Sequence, residues 1–347
     1  MNQELKEKLQ KIETSLAKAL PGNFDLIWKE NSFGKLPAAI SDSYIKNLIE
    51  PNLSLLNLGG KRWRPLLLIL CYENFLHENS NHLSEEQVYS LTPLIEFVHT
   101  ASLIHDDIED SADLRRGKPA AHITYGLDTA LNCASWLYFE ATVCINNLQA
   151  SLEQKNQLYM AYTQELRKLH LGQAMDIFWH RNPECFPDKN EYMAMVQNKT
   201  GTLSSLATKI GCLAGGLSPE KTEIYGDTAA KIGIGFQIID DVINLTTGNP
   251  GKKRGDDIVE GKKSLPVLLH IEQHPQEKHV ISALMTQAAK EGINSPAVEE
   301  CIAILNKSSC ITDAAKMGTD FIRNNCNKFN SALISELFNS MIPEQFR

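Results

Sequence analysis

Two short acidic runs carry the clearest chemistry in this chain. In Asp106-Asp107-Ile108-Glu109-Asp110, Asp106 and Asp110 are four residues apart, so a helix sets both on one face with Asp107 beside them. Asp240-Asp241 follows the apolar stretch Ile232-Gly233-Ile234-Gly235-Phe236-Gln237-Ile238-Ile239. A lone acidic run is usually a solvated helix face. Here the first run is flanked by Ser102-Leu103-Ile104-His105 and Ile108, and two such runs on two apolar helices fit an interior better than a surface. Carboxylates gathered there repel and need cations. Mg²⁺ fits, because it takes one or two carboxylates and fills its shell with water and substrate phosphate oxygens; the runs therefore predict a phosphorylated substrate. No calcium-binding loop of the EF-hand type is present. Glu96 and His99 have the spacing of a di-iron bundle pair, but no second pair accompanies them, and that reading is set aside.

Cations alternate with these acids. Gly59-Gly60-Lys61-Arg62-Trp63-Arg64-Pro65 packs three after two glycines; Arg115-Arg116-Gly117 follows the first acidic run. Adjacent guanidiniums clamp phosphate oxygens through paired hydrogen bonds. Lys199-Thr200, Lys252-Lys253-Arg254 and Lys262-Lys263 add more, the last two groups lying after the second acidic run. Taken singly, each is an ordinary solvated turn. Together they suit a site that takes two diphosphates and several Mg²⁺ into a partly dry cavity.

The elements that must hold these groups are helices. Ile95, Val98, Ser102 and Leu103, and later Leu203, Leu206, Ile210 and Leu213, keep a three-to-four spacing, and two-residue alternation is nearly absent. Breaks fall at Pro21-Gly22, Gly59-Gly60, Arg116 to Pro119, Asn182-Pro183, Gly215-Gly216 and Gly248 to Gly255. None is long or polar enough to separate domains, and no repeat is found, so one all-α domain over residues 1–347 is expected. Leu5, Leu9, Ile12, Leu16 and Leu20 mark an amphipathic N-terminal helix, unlike a signal peptide. The apolar run from Pro65 to Tyr72 is far short of the ~20 residues a membrane span needs. A cytoplasmic protein is expected. The net charge of −8 gives no footprint for nucleic acid, and eight scattered cysteines without a CxxC pair read as reduced structural thiols.

These residues in this order resemble the trans-isoprenyl diphosphate synthase (polyprenyl synthetase) family. The resemblance runs from about Gly59 to Pro266 and rests on GGKRWRP, HTASLIHDDIEDSADLRRGKPAAHITYG, LHLGQAMDI, KTG and GFQIIDD followed by GDDIVEGKKSLP. DDIEDxxxLRRG, the Asn of the second run and EYMAMVQNKTG, Glu191 to Gly201, are most similar to geranylgeranyl diphosphate synthases of the eukaryotic type.

The resemblance implies an isoprenoid-synthase-type helical bundle around a central cavity, usually a homodimer. It implies that Asp106, Asp107 and Asp110 bind Mg²⁺ from one side and Asp240 and Asp241 from the other. Arg115 would hold the allylic diphosphate; Lys61, Arg64, His99 and Arg116 would hold isopentenyl diphosphate. Lys199, Thr200, Gln237 and Lys262 would line the allylic leaving group and the cation, with Lys252 favoured over Lys253 as a further diphosphate contact. The expected reaction joins isopentenyl diphosphate to dimethylallyl, geranyl or farnesyl diphosphate. Val98, Ala101 and Ser102 would line the tail's path, and since the family ends elongation early with a bulky ring there, a geranylgeranyl product is implied over a farnesyl one. Two departures stand out: Asn244 at the third position of the second run, expected to accept a hydrogen bond from metal-bound water, and Asn132-Cys133 where many bacterial members have Gly-Asp. A terpene cyclase would not need Lys61, Arg64, His99 and Arg116, and a non-catalytic prenyl diphosphate-binding subunit would be expected to lack the first acidic run.

Overall fold

The structure, a computed structural model, describes residues 3–76, 82–248 and 253–346. These residues are helical apart from turns and one two-stranded hairpin, so the expected all-α class is observed. By contact the chain divides into two compact units: residues 1–163 with 206–223, and residues 164–205 with 224–347.

In the first unit, α1 (Gln3–Ala19) buries Leu5, Ile12 and Leu16 on one face, as its sequence spacing requires. After α2 (Asp42–Asn57) comes α3 (Trp63–Phe75), whose Leu66 to Tyr72 are all buried. The apolar run noticed in sequence is thus a central core helix. Burying a leucine side chain contributes roughly 2 kcal/mol, so this helix is a main anchor of the unit. Next, α4 (Pro93–Glu109) starts on a proline at its first turn and runs into the first acidic motif. Beyond it, β1 (Leu114–Arg115) pairs antiparallel with β2 (Lys118–Pro119). Arg116 and Gly117 both have positive φ, 52° and 74°, which makes the two-residue turn that suits a tight hairpin. Then α5 (Leu127–Glu140) packs along α4.

In the second unit, the distal part of α6 (Leu152–Arg181) leads to α7 (Lys189–Val196), opened by a reciprocal cap between Asp188 and Glu191. A π-helical turn, Gln197–Gly201, joins α7 to α8 (Thr202–Ala214), whose residues from Leu206 onward are counted with the first unit. The second acidic motif lies near the end of α9 (Pro219–Thr246), and α10 (Leu265–Gln273) follows the glycine-rich stretch. Ile234, Ile238, Val242 and Leu245 of α9 join Tyr192 and Val196 of α7 and Leu265 and Val267 of α10 in the core. No helix among the described residues is long and apolar enough to cross a membrane.

Candidate active site

The first unit carries a cavity of about 190 Å³ lined by Gly60, Lys61, Arg62, Trp63, Arg64, Glu96, His99 and Arg116. All four residues expected to hold isopentenyl diphosphate meet here. The positions follow from the backbone: Lys61 and Arg64 flank the start of α3, His99 sits two turns before the acidic end of α4, and Arg116 reaches in from the hairpin turn to donate to the Gly59 carbonyl. Arg64 stacks on the ring of Trp63, 4.4 Å from its centroid, and its Nε is buried with no hydrogen-bond partner. Burial lowers the Arg64 pKa to about 10, with Glu96 opposing. His99 is held well below the usual imidazole range by burial and by Arg64 and Arg116, so it is neutral at pH 7. A buried guanidinium with an orphan donor beside a neutral imidazole is a cavity short of an anion.

Below it on α4 lies the first acidic motif. Asp107 is 1 % exposed, accepts from Arg115 Nε at 2.8 Å, and leaves Oδ2 buried without a partner. Its pKa is raised by burial, with Arg115 pulling the other way. Asp106 is half-buried, its Oδ2 3.6 Å from Arg115, and Asp110 caps the helix. The orphan carboxylate oxygen at Asp107 fits a divalent cation, which supplies the charge that the site lacks. Among the described residues no three acidic, His or Cys side chains converge as a metal centre. Val98 and Ala101 are fully buried; Ser102 is half-buried and donates to the His99 carbonyl at 2.9 Å.

In the second unit the expected residues form a connected network. The Thr200 hydroxyl donates to Gln237 Oε1 at 2.8 Å, and Gln237 Nε2 donates to Asp241 Oδ1 at 3.0 Å. Asp241 Oδ2 accepts from the Tyr192 hydroxyl at 2.6 Å and from the Leu265 N–H at 2.9 Å. Burial raises Asp241 to about 6 against these three donors. Lys199 pairs with Asp176 at 2.6 Å, and Lys262 pairs with Glu260. The π-helical turn permits this geometry, since such bulges re-aim side chains within a helix. Close approach of backbone requires glycine on both sides: a Cβ on Gly172 would lie 2.3 Å from the Lys199 nitrogen, and one on Gly233 would lie 2.6 Å from the Gly201 Cα. Asp240 is exposed, one residue away from the buried Asp241. Lys252 lies outside the described residues.

Asn244 has backbone partners of its own. It is buried, and its Oδ1 accepts from the Asp257 N–H at 3.3 Å while its own carbonyl accepts from the Gly255 N–H. Oδ1 thus serves the Asp257 N–H with one of its two lone pairs, while Nδ2 is buried with no hydrogen-bond partner. Sequence reasoning also passed over several groups. Glu96 was weighed only as half of an iron pair, yet its spacing from His99 was the signal that both face one cavity. Asp176 and Asp257 lie inside LHLGQAMDI and GDDIVEGKKSLP without having been singled out. Asp257 is pushed well above the carboxylate range by burial, with Lys262 pulling down and Asp241 adding to the rise.

Comparison with known proteins bears on the family and the fold. A family model described as polyprenyl synthetase matches residues 45–305. Geranylgeranyl pyrophosphate synthase 2 of Zymoseptoria tritici is 36% identical over 228 residues, 64% of this chain and 66% of that protein. Geranylgeranyl pyrophosphate synthase dpfgD of Gibberella zeae is 34% identical over 255 residues, 73% of this chain and 64% of that protein. The chain thus covers just under two thirds of these relatives' length. Among solved structures, the geranylgeranyl pyrophosphate synthetase of Pyrococcus horikoshii aligns with TM-score 0.80 at 24% identity, covering 98% of this chain and 97% of that one. The decaprenyl diphosphate synthase of Rhodobacter capsulatus aligns with TM-score 0.77 at 20% identity, covering 99% of each. The fold is that of these synthases.

Proposed function

Because the chain belongs to the polyprenyl synthetase family, we propose that it is a Mg²⁺-dependent trans-prenyltransferase that condenses isopentenyl diphosphate head to tail with an allylic diphosphate, ending at geranylgeranyl diphosphate. The observation that carries this reading is the cavity of Lys61, Arg64, His99 and Arg116, with its buried, unpartnered Arg64 Nε. These four residues hold the diphosphate of isopentenyl diphosphate. Arg115 holds the allylic diphosphate; Lys199, Thr200, Gln237 and Lys262 line the allylic leaving group and the cation, and Lys252 stands as a further diphosphate contact. Asp106, Asp107 and Asp110 in one unit, and Asp240 and Asp241 in the other, hold Mg²⁺. When bound, Mg²⁺ neutralises charge building on the departing diphosphate. Asp241, whose lone pairs already serve Tyr192, Gln237 and Leu265, mainly orients its neighbours, so Asp240 is the stronger ligand of that pair.

The allylic carbon–oxygen bond breaks with its electron pair leaving on the diphosphate. The isopentenyl double bond then attacks the allylic carbon, and the released diphosphate takes a proton from the carbon adjacent to the new cation, which restores an alkene. The hydroxyl of Thr200, fixed by Gln237, presents a lone pair to the transient cation, and no protein nucleophile takes part. The small side chains at Val98, Ala101 and Ser102 leave room for a tail longer than farnesyl. The same reading carries a single catalytic domain over residues 1–347, a homodimer and a cytoplasmic location. The test is to incubate the protein with Mg²⁺, isopentenyl diphosphate and each of dimethylallyl, geranyl and farnesyl diphosphate, and to identify products by mass spectrometry. A dominant twenty-carbon diphosphate is expected; absence of elongation from every primer would sink the reading.

A further inference from the structure

Of the five basic residues lining the first unit's cavity, Arg62 is turned away from the role of the others. It is 5 % exposed, and its φ of 47° places a residue with a side chain in the left-handed region that normally favours glycine. Its guanidinium is bound from behind. Nε donates to Glu13 Oε1 at 2.8 Å, Nη1 to Glu96 Oε1 at 2.6 Å, and Nη2 to the Leu56 carbonyl at 2.7 Å, with Glu13 Oε2 at 3.5 Å. Glu96 is 3 % exposed and is the sole carboxylate lining the cavity, and Arg62 is its hydrogen-bonded partner. Arg62 follows Lys61 directly and, with Trp63, links it to Arg64 at the entry to α3, so its position fixes where those two cations point.

We propose that Glu13, on α1, is a positioning residue for the diphosphate cavity: through Arg62 it locks the strained turn that aims Lys61 and Arg64 at isopentenyl diphosphate. This rests on the reading of that cavity as the isopentenyl diphosphate site. The arrangement divides labour among the cations. Arg62 is neutralised by two carboxylates and serves as the anchor, whereas Arg64 retains an unmet donor for the ligand. A strained backbone persists only where its surroundings over-determine it, and three acceptors on one guanidinium provide that. Glu13 is the exposed member, with 46% of its side chain accessible, so it can be changed without opening the core.

Two effects of removing the Glu13 charge oppose each other. The cavity becomes more positive, which attracts an anion, and the turn loses one of its holds, which misplaces Lys61 and Arg64. At a few ångströms, placement of directional donors outweighs one partly screened charge.

The experiment measures KM for each substrate and kcat in the wild type, Glu13→Gln and Glu13→Asp. Glu13→Gln is expected to raise KM for isopentenyl diphosphate about ten-fold, the worth of one charge-assisted hydrogen bond, with kcat at saturation and the allylic KM unchanged. Glu13→Asp, which keeps the carboxylate, is expected to recover most of the loss. An unchanged or lowered KM for isopentenyl diphosphate in Glu13→Gln, or an equal change in both substrates' KM, overturns the proposal. Calorimetric titration with inorganic pyrophosphate separates this from failure of the functional reading. If the wild type elongates nothing, weaker pyrophosphate binding by Glu13→Gln still supports the anchor, and equal binding by the two proteins overturns it.

Discussion

Two sets of cations, Arg64 with its neighbours in the first unit and Lys199 with Lys262 in the second, are held in opposite ways. In the first, Arg64 keeps a buried donor unmet, and the imidazole of His99 is kept neutral by burial and by the guanidiniums around it. In the second, Lys199 is paired with Asp176, Lys262 with Glu260, and Thr200, Gln237, Asp241 and Tyr192 form one hydrogen-bonded chain. An unmet cation binds a bare anion directly. A paired one must exchange partners, which favours a diphosphate that arrives with metal to occupy the carboxylates it displaces. The difference matches the two proposed substrates: isopentenyl diphosphate keeps its diphosphate throughout, whereas the allylic diphosphate must leave.

The largest expected effect compares the two acidic motifs. Asp107→Asn and Asp241→Ala should each lower turnover by about 10³-fold through weakened Mg²⁺ binding or its geometry, read in steady-state assays across Mg²⁺ concentration. Their stabilities should differ. Asp107→Asn removes a buried charge and should leave denaturant unfolding nearly unchanged. Asp241→Ala strands Tyr192, Gln237 and the Leu265 N–H in the interior and should cost about 3 kcal/mol. Equal stability in the two variants would break the contrast drawn here.

A smaller effect concerns the tail. Ala101 has no exposed surface, and Ala101→Phe puts a ring beside Val98 and Ser102. The expected outcome is a shift of the dominant product from twenty carbons to fifteen by mass spectrometry. An unchanged product would place the tail's path elsewhere.

The smallest effect sharpens the electrostatics of the first unit. The depressed His99 pKa means that an anion in the cavity, by offsetting Arg64 and Arg116, raises it. Binding therefore takes up part of a proton where the bound form is protonated and the unbound form is not, and affinity increases as pH falls into that window. Calorimetry of isopentenyl diphosphate binding in two buffers of different ionisation enthalpy should show this uptake in the wild type and not in His99→Gln. Linkage also acts on folding: the unfolded chain binds this proton near the ordinary imidazole value and the folded chain does not, so the His99 contribution to stability is lost as pH falls below about 6.5.

Much of this arrangement was legible before any coordinates. Helical spacing located α1 and α4 because an apolar face repeats every three to four residues, and the motif resemblance picked Lys61, Arg64, His99 and Arg116, which share one cavity. What local pattern could not carry was partnership across long separations. Glu13 and Arg62 are 49 residues apart, and no local pattern pairs Arg62 with Glu96, 34 residues further on. Asn244 was read for its own acceptor, while its partners are backbone groups that no side-chain pattern reveals. Asp241 illustrates a further limit. A motif identifies a carboxylate but not the three donors that turn it into a structural keystone.

The most direct test of the division between the units is a pair of charge deletions read as KM for each substrate. The account predicts that Arg64→Met raises KM for isopentenyl diphosphate about a hundred-fold and leaves the allylic KM near its wild-type value, while Lys199→Met does the reverse. If Arg64→Met weakened the allylic substrate instead, or if both variants affected both substrates alike, the assignment of one diphosphate to each set of cations would be wrong.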